Sequence, residues 1–153
     1  MGAGLLAIVL AVGIPIVTLL FLVGFLALLY SIFAQISGWN ALAQRYAAIV
    51  EPEGRKLPRQ TIKVGRVRWR SCVTIVLSPQ GMYLEVGSQL PVLSAIRKHP
   101  PVLIPWSEFK APREGRLYLG WQAVQLSVSE PETAAITFPL SLYEDMTGYL
   151  GRQ

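Results

Sequence analysis

The chain has 153 residues, of which 52% are hydrophobic and only 15% charged, against roughly 25% charged residues in an ordinary soluble domain. No charged side chain occurs before Arg45, so all 14 basic and all 9 acidic residues lie from there onward. The single cysteine, Cys72, excludes an intramolecular disulfide. The sequence therefore divides into an apolar N-terminal segment and a basic remainder large enough for one small domain.

Residues 4–34 form an uninterrupted apolar run, GLLAIVLAVGIPIVTLLFLVGFLALLYSIFA, whereas a helix needs about 20 residues to cross a bilayer core. The run predicts one transmembrane helix, bent near Gly13 and Pro15. A cleaved signal peptide would have a basic start and an apolar run of only about 7–15 residues, and this chain has neither. We therefore expect an uncleaved signal-anchor.

Basic side chains follow this run and none precedes it: Arg45, Arg55, Lys56 and Arg59. The positive-inside rule places the N-terminus outside and the following domain in the cytoplasm. At the start of the run, three alanines form a small-xxx-small row: Ala3, Ala7 and Ala11. Such a row would let the helix of a membrane-protein partner approach closely, although chance often produces it in alanine-rich helices.

Residues 35–58 read as a juxtamembrane connector that contains one short amphipathic helix. Its apolar residues recur with a helical period in SGWNALAQRYAAIV: Trp39, Leu42, Tyr46 and Ile49. This face must rest either on the domain or on the bilayer surface. The segment EPEGRKLP, with two prolines and a glycine, then ends the helix.

In residues 59–153 the apolar period changes from 3.6 to 2, which predicts about six or seven short strands. The strand-like segments are QTIKVGRVRWRS, CVTIVLS, MYLEV, VLIPW, RLYLGWQAVQLSV and AAITFP. The segment LSLYEDMTGYL then predicts a helix whose apolar face carries Leu140, Tyr143, Met146 (or Thr147) and Leu150. Because strands and helices do not alternate, a doubly wound sheet is excluded, and we expect a small α+β domain: an antiparallel barrel or roll with a C-terminal helix.

Two glycines interrupt the predicted strands. The apolar series changes phase at Gly65, which predicts a bulge or bend. The segment PQG predicts a turn in which Gly81 is free to take a positive φ.

The stretch HPPVLIPWSEF contains the only histidine, His99, and we interpret it as structural. The two prolines after His99 favour an extended chain, so Val102 to Ile104 should enter the core. Pro105 lacks an N–H group and should lie at a sheet edge or bulge. Trp106 should bury its ring if its N–H finds an acceptor.

GMYLEV followed by VLIPWSEF resembles the core pattern of bacterial PH-like and GRAM-like domains. The wider pattern SGWNALAQRY, GMYL and HPPVLIPW resembles a family of uncharacterised small bacterial membrane-anchored proteins. The resemblance covers about residues 37–110 and implies a PH-like fold and binding close to the inner membrane. It carries no known activity to transfer to this chain, and the insert SQLPVLSAIRKHPP departs from the simplest PH-like spacing.

Catalytic and metal-binding patterns are missing from the sequence. One histidine and one cysteine lie far apart, and a nucleophile needs a base within reach. The acidic pairs Glu51–Glu53 and Glu130–Glu132 lie in loop-like segments, and no glycine-rich phosphate loop occurs. We expect a non-enzymatic protein with no metal and no cofactor.

A basic stretch lies between Gly54 and Arg70 and contains no acidic residue: Arg55, Lys56, Arg59, Lys63, Arg66, Arg68 and Arg70. The last three alternate with Val67 and Trp69 and should project from one face of a strand. They could form a solvated face that discourages edge aggregation, or attract anionic lipid headgroups at about 1 kcal/mol per basic residue. Nucleic-acid binding is disfavoured because no clustered aromatic platform accompanies them.

These observations predict a single-pass protein of the cytoplasmic (inner) membrane, whose cytoplasmic β domain binds anionic lipid headgroups or a partner protein. The alternative is a small accessory or assembly subunit of a larger membrane complex, held mainly by its transmembrane helix.

Overall fold

The structure is a computed structural model that describes residues 2–87 and 99–151. Its elements are α1 (Gly2–Ser37), α2 (Trp39–Tyr46), β1 (Arg55–Val64), β2 (Val67–Leu77), β3 (Gly81–Val86), β4 (Val102–Pro105), a 3-10 helix (Trp106–Glu108), β5 (Phe109–Arg116), β6 (Gln122–Val128), β7 (Ala134–Pro139) and α3 (Leu140–Leu150). The chain divides into two compact units, of which the second begins at Ala34. Most of the predicted insert SQLPVLSAIRKHPP lies outside the described residues.

The N-terminal unit contains helix α1 up to Phe33, and this helix is long and apolar enough to span a membrane over Val9–Leu29. Pro15 lies inside the helix and has no N–H group to donate. The Thr18 hydroxyl donates a hydrogen bond to the Ile14 carbonyl over 2.8 Å, so this polar group is satisfied within the helix. The side chains of Ala3 and Ala7, two members of the predicted small-residue row, lie outside those that the structure describes.

The second unit is built on a seven-stranded antiparallel sheet that curls into a half-barrel, with the order β4-β3-β2-β1-β7-β6-β5. The predicted antiparallel sheet and C-terminal helix are confirmed; the sheet stays open, with β4 and β5 at its two edges. Pro105 ends the edge strand β4, where its missing N–H group is harmless.

Buried and less buried residues alternate at the end of β1, which directs part of the core to one face of the sheet, whereas successive residues are buried at the end of β2 and in β3. In β1 and β7, Val64 pairs with Ile136 and both are fully buried, whereas Lys63 points to the opposite face. We call the face with Val64 the inner face and the face with Lys63 the outer face. Helix α3 contacts β6, β7 and the 3-10 helix.

Helix α3 turns a different side to the core from the one that its sequence pattern predicts. Leu142 and Met146 are buried, whereas Leu140, Tyr143 and Leu150 are only half-buried. The ring of Tyr149 stacks on Trp106, with centroids 5.1 Å apart. Of the predicted face of α3, only Met146 is buried. The other buried contacts of α3 come from Leu142 and from Tyr149, which stacks on the 3-10 helix.

Helix α2 packs on the domain, so the apolar face of the helix is buried against the domain and not left for the bilayer surface. The Trp39 side chain is fully buried, and its indole N–H donates a hydrogen bond to the Pro100 carbonyl over 3.3 Å. The Tyr46 hydroxyl donates to a carboxylate oxygen of Glu108 over 2.8 Å. The helix ends at Tyr46, so Ile49 lies beyond it and is exposed rather than part of the buried face.

The two glycine predictions have different outcomes. The segment around Gly65 is a hairpin rather than one bent strand, because Val64 pairs with Val67. Gly65 has a φ of 56°, as the first central residue of a type II′ turn requires. The turn predicted at PQG is present, since Ser78 and Gly81 exchange backbone hydrogen bonds, but Gly81 does not use its freedom to take a positive φ. Gly81 begins strand β3 opposite Pro105, where an added Cβ would lie 2.8 Å from the Ile104 carbonyl carbon.

Strand β3 also buries a tyrosine beside two carboxylates. Tyr83 is almost fully buried, with its hydroxyl 3.5 Å from a carboxylate oxygen of Glu85. Burial, and then the negative charges of Glu85 and Glu51, raise the pKa of Tyr83 from 10.0 to about 12.

We expect the domain to lose stability as the pH rises from 10 to about 12, partly through Tyr83. The folded-state pKa lies above the unfolded value, so the contribution is fully present below the unfolded pKa and is lost as the pH rises through the folded one. Replacing Tyr83 with phenylalanine should make the decline in unfolding free energy shallower by roughly 1–2 kcal/mol. Urea unfolding at several alkaline pH values measures this.

The matched control is Tyr46→Phe, because burial and the hydrogen bond to Glu108 also raise the pKa of Tyr46. This variant should make the decline shallower in the same direction but by less. If Tyr83→Phe declined as steeply as the unmodified protein, the hydroxyl would not be the group that titrates.

Candidate functional site

The structure separates the seven residues of the basic stretch into groups with different surroundings. At the start of β1, Arg55 forms a 2.9 Å ion pair with Asp145, and Lys56 forms a 2.8 Å ion pair with Glu51. The hydrogen bond that Lys56 donates to the Glu51 carboxylate raises the pKa of Lys56. Each of these two cations thus has an acidic partner that competes with any external anion.

Arg59 and Lys63 lie further along β1. The register with β2 shifts on both sides of Gln60, and Arg59 takes a φ of 55° at this irregular point. Arg59 is exposed at the bulge, whereas Lys63 is half-buried on the outer face, directly opposite Arg68 of β2. Lys63 and Arg68 therefore place two positive charges side by side on the outer face.

The predicted alternation holds within β2 but does not include Arg66. Arg66 lies in the hairpin turn before the strand begins at Val67. Arg68 and Arg70 are exposed on the outer face, and Trp69 between them is buried on the inner face, 5.7 Å from the ring of Trp39.

A tyrosine from another hairpin holds these two arginines in place. The guanidinium carbon of Arg68 lies 4.4 Å from the ring centroid of Tyr118, and that of Arg70 lies 5.4 Å away. The Nε–H of Arg70 also donates to the Tyr118 hydroxyl over 2.9 Å. Cations over an aromatic face are attracted by its quadrupole, so both guanidinium groups have a fixed location without losing their charge. We call Arg68, Arg70 and Tyr118 the arginine–tyrosine platform.

The platform is electrostatically different from the start of β1. Neither Arg68 nor Arg70 has a carboxylate oxygen within 4.0 Å among the described residues. Their guanidinium N–H groups keep donor capacity, since Arg has five N–H donors and Tyr118 takes only one. An external anion can therefore bind here without displacing an acidic side chain.

Beside the platform, residues 117–121 connect β5 to β6, and we call this segment the β5–β6 loop. It borders an open groove of about 980 Å³ that is also lined by Arg68, Glu114, Arg116 and Leu140. Leu117 is fully buried at the base of the loop, whereas Leu119 is fully exposed and Trp121 is 58% exposed.

Sequence reasoning missed this loop because RLYLGWQAVQLSV reads as one strand. The structure ends β5 at Arg116 and begins β6 at Gln122. The usable signal was Gly120, because a glycine in the interior of a strand-like run often marks a break in that strand. The sequence does not indicate that Arg68 and Arg70 lie beside this loop, since their proximity to it depends on the tertiary fold.

Comparison with family models, with curated proteins and with solved structures found no match to this chain. The function of the arginine–tyrosine platform must therefore be argued from its own geometry and charge.

Proposed function

We propose that the chain is a non-enzymatic single-pass protein of the bacterial inner membrane, whose cytoplasmic domain binds anionic lipid headgroups. The observation that carries this proposal is the arginine–tyrosine platform, where two exposed guanidinium groups are positioned by an aromatic ring and not neutralised by a carboxylate. Arginine donates hydrogen bonds in a planar fork that matches the oxygens of a phosphate.

The N-terminal helix supports the proposal by supplying a tether. Helix α1 is long and apolar enough to cross a bilayer, and the basic residues all lie on its C-terminal side. The positive-inside rule then favours a cytoplasmic domain, facing the leaflet where anionic lipids concentrate. A tethered domain meets lipid headgroups at high effective concentration, so weak individual contacts suffice.

The resemblance to PH-like and GRAM-like domains agrees with this proposal. An antiparallel sheet curled into a half-barrel and followed by one helix is compatible with that fold family. We therefore include a PH-like identity in the proposal.

Vesicle co-sedimentation tests lipid binding, with residues 37–153 as the probe after urea unfolding has shown that they fold cooperatively. We expect binding to vesicles that contain acidic lipids at about 0.1 M salt, and release at about 1 M, because the Debye length falls from about 10 Å to about 3 Å. Neutral vesicles should not bind.

Replacing Arg68 and Arg70 together with glutamine should weaken binding about 30-fold, since each basic residue near the surface contributes about 1 kcal/mol. The matched control replaces Arg55 and Lys56 with glutamine, which removes the same charge from residues that already have acidic partners. The control should lose much less binding.

Equal losses in the two double variants would show that only net charge matters and that the platform is not the site. No binding to acidic vesicles at low salt would remove the lipid proposal altogether. The accessory-subunit alternative would then lead, and a native gel after mild detergent extraction would show the full chain in a large complex of fixed size.

A further inference from the structure

The tip of the β5–β6 loop exposes apolar side chains that contribute nothing to the core of the domain. Leu119 is fully exposed and Trp121 is 58% exposed, whereas Leu117 two residues earlier is fully buried. We propose that this loop inserts Leu119 and Trp121 into the interfacial layer of the bilayer, beside anionic headgroups that bind to the arginine–tyrosine platform. This inference rests on the proposed function and adds an apolar part to it.

The backbone presents these side chains in a defined way. The Trp121 N–H donates to the Tyr118 carbonyl over 3.2 Å, and Gly120 has a φ of 82°, which together match a type II turn with glycine in its third position. No heavy atom lies within 4 Å of the position that a Cβ of Gly120 would occupy. Glycine is therefore favoured here by the positive φ and not by a close contact. Leu119 therefore occupies the projecting second position of an ordered turn.

The turn is also fixed from the side. The Tyr118 ring, which contacts both arginines of the platform, lies 5.2 Å from the ring of Trp121 at an angle of 69°. Leu117 anchors the start of the loop by complete burial. Little conformational entropy remains to be lost on insertion, so the exposed apolar area can contribute to binding.

The surrounding charge favours a lipid surface as the occupant. Arg68 and Arg116 line the groove next to Trp121, and the one acidic side chain there, Glu114, leaves an excess of positive charge. Tryptophan concentrates at the interface between headgroups and acyl chains, where its ring is apolar and its N–H group is hydrated. An apolar tip bordered by cations is complementary to an anionic bilayer, which presents phosphates above hydrocarbon.

Site-directed spin labelling of the full chain in proteoliposomes tests insertion. The background variant is Cys72→Ala, which removes the only cysteine, and the label is placed through Leu119→Cys. The matched control is Gln80→Cys, an exposed position in the turn between β2 and β3. In acidic vesicles at low salt, we expect the label at position 119 to be accessible to oxygen and protected from a water-soluble nickel chelate, and the label at position 80 to show the reverse.

A second measurement uses the co-sedimentation assay and a variant that cannot unfold the domain through lost packing. Leu119→Ser should weaken binding to acidic vesicles about tenfold, because a fully exposed leucine loses only its burial in the membrane. Leu119→Met should retain binding.

The outcomes separate the two proposals. A water-exposed label at position 119, with unchanged binding of Leu119→Ser, would overturn insertion; if Arg68 and Arg70 remained necessary, headgroup binding alone would stand. If, in addition, the Arg68 and Arg70 variants bound as tightly as the unmodified domain, both loop insertion and the proposed headgroup binding would be overturned. Protection of position 119 to the same degree in neutral vesicles and at high salt would show that anionic headgroups are not required and would overturn insertion into an anionic bilayer.

Discussion

Replacing Trp106 with alanine should lower the free energy of unfolding by about 3–5 kcal/mol, which is the usual cost of removing a large buried aromatic side chain. The side chain is only 6% exposed, and its indole N–H donates to the Ser78 carbonyl over 2.8 Å. Its ring stacks on Tyr149 of α3 at 5.1 Å and lies 5.9 Å from the ring of Phe109. The substitution would therefore open a cavity, remove one of the two N–H donors to the Ser78 carbonyl, which keeps its bond from the Gly81 N–H, and weaken the docking of α3.

The matched control is His99→Ala in the same stretch of chain. His99 is half-buried, and its ring lies edge-on to Trp39 at 6.4 Å and to Trp69 at 5.6 Å. Such aromatic contacts are worth about 1 kcal/mol, so the loss should be much smaller than for Trp106. Urea unfolding followed by far-UV circular dichroism measures both variants. Equal and negligible losses would contradict the structural role of Trp106.

The stretch HPPVLIPWSEF shows how far local sequence can predict this fold. Of the predicted core residues Val102 to Ile104, Val102 and Ile104 are fully buried in the short strand β4 but Leu103 is only half-buried, and Pro105 ends that edge strand as the sequence predicts. The expected acceptor for Trp106 exists, but it is the carbonyl of Ser78, 28 residues earlier in the chain. The pattern of apolar residues and prolines predicts which residues are buried and where the strand ends. The hydrogen-bond partner of a buried side chain depends on which strands pair, and the local sequence does not show this.

The same distinction explains where the site predictions were incomplete. Arg55 meets Asp145 across 90 residues, and Arg70 meets Tyr118 across 48 residues. A single sequence shows that both arginines are basic, but only the tertiary fold, which brings Asp145 of α3 to Arg55 and Tyr118 of the β5–β6 loop to Arg70, shows which one is neutralised. The sequence therefore gives no reason to prefer any of the seven basic residues as an anion-binding residue. The structure distinguishes them, because Arg55 and Lys56 have acidic partners whereas Arg70 contacts a tyrosine.

The helical faces show a related effect. The spacing in α2 identifies Trp39 and Leu42 as buried, because both lie inside the helix that the pattern describes. Ile49 continues the same spacing, yet it is exposed because the helix has already ended. Periodicity predicts a face only as far as the helix extends, and its end at Tyr46 coincides with a tertiary hydrogen bond to Glu108.

Replacing Gly81 with alanine should destabilise the domain by about 3 kcal/mol or more, at the upper end of the usual cost of overpacking. An added Cβ would lie 2.8 Å from the carbonyl carbon of Ile104 and 3.0 Å from the Cα of Pro105. Both atoms belong to the backbone of β4, which cannot yield as a flexible side chain would. The pairing of β3 with the edge strand β4 should therefore be disturbed.

Gly148→Ala provides the matched control, because it makes the same chemical change with the opposite expected sign. Gly148 lies inside helix α3, is exposed, and has nothing within 4 Å of an added Cβ. Alanine in an exposed helix should stabilise the protein by about 0.5–1 kcal/mol, since glycine loses more backbone entropy on folding. Urea unfolding of both variants measures the difference. A stable Gly81→Ala protein would show that β4 moves aside without cost, and the close approach of β3 and β4 would then have no structural role.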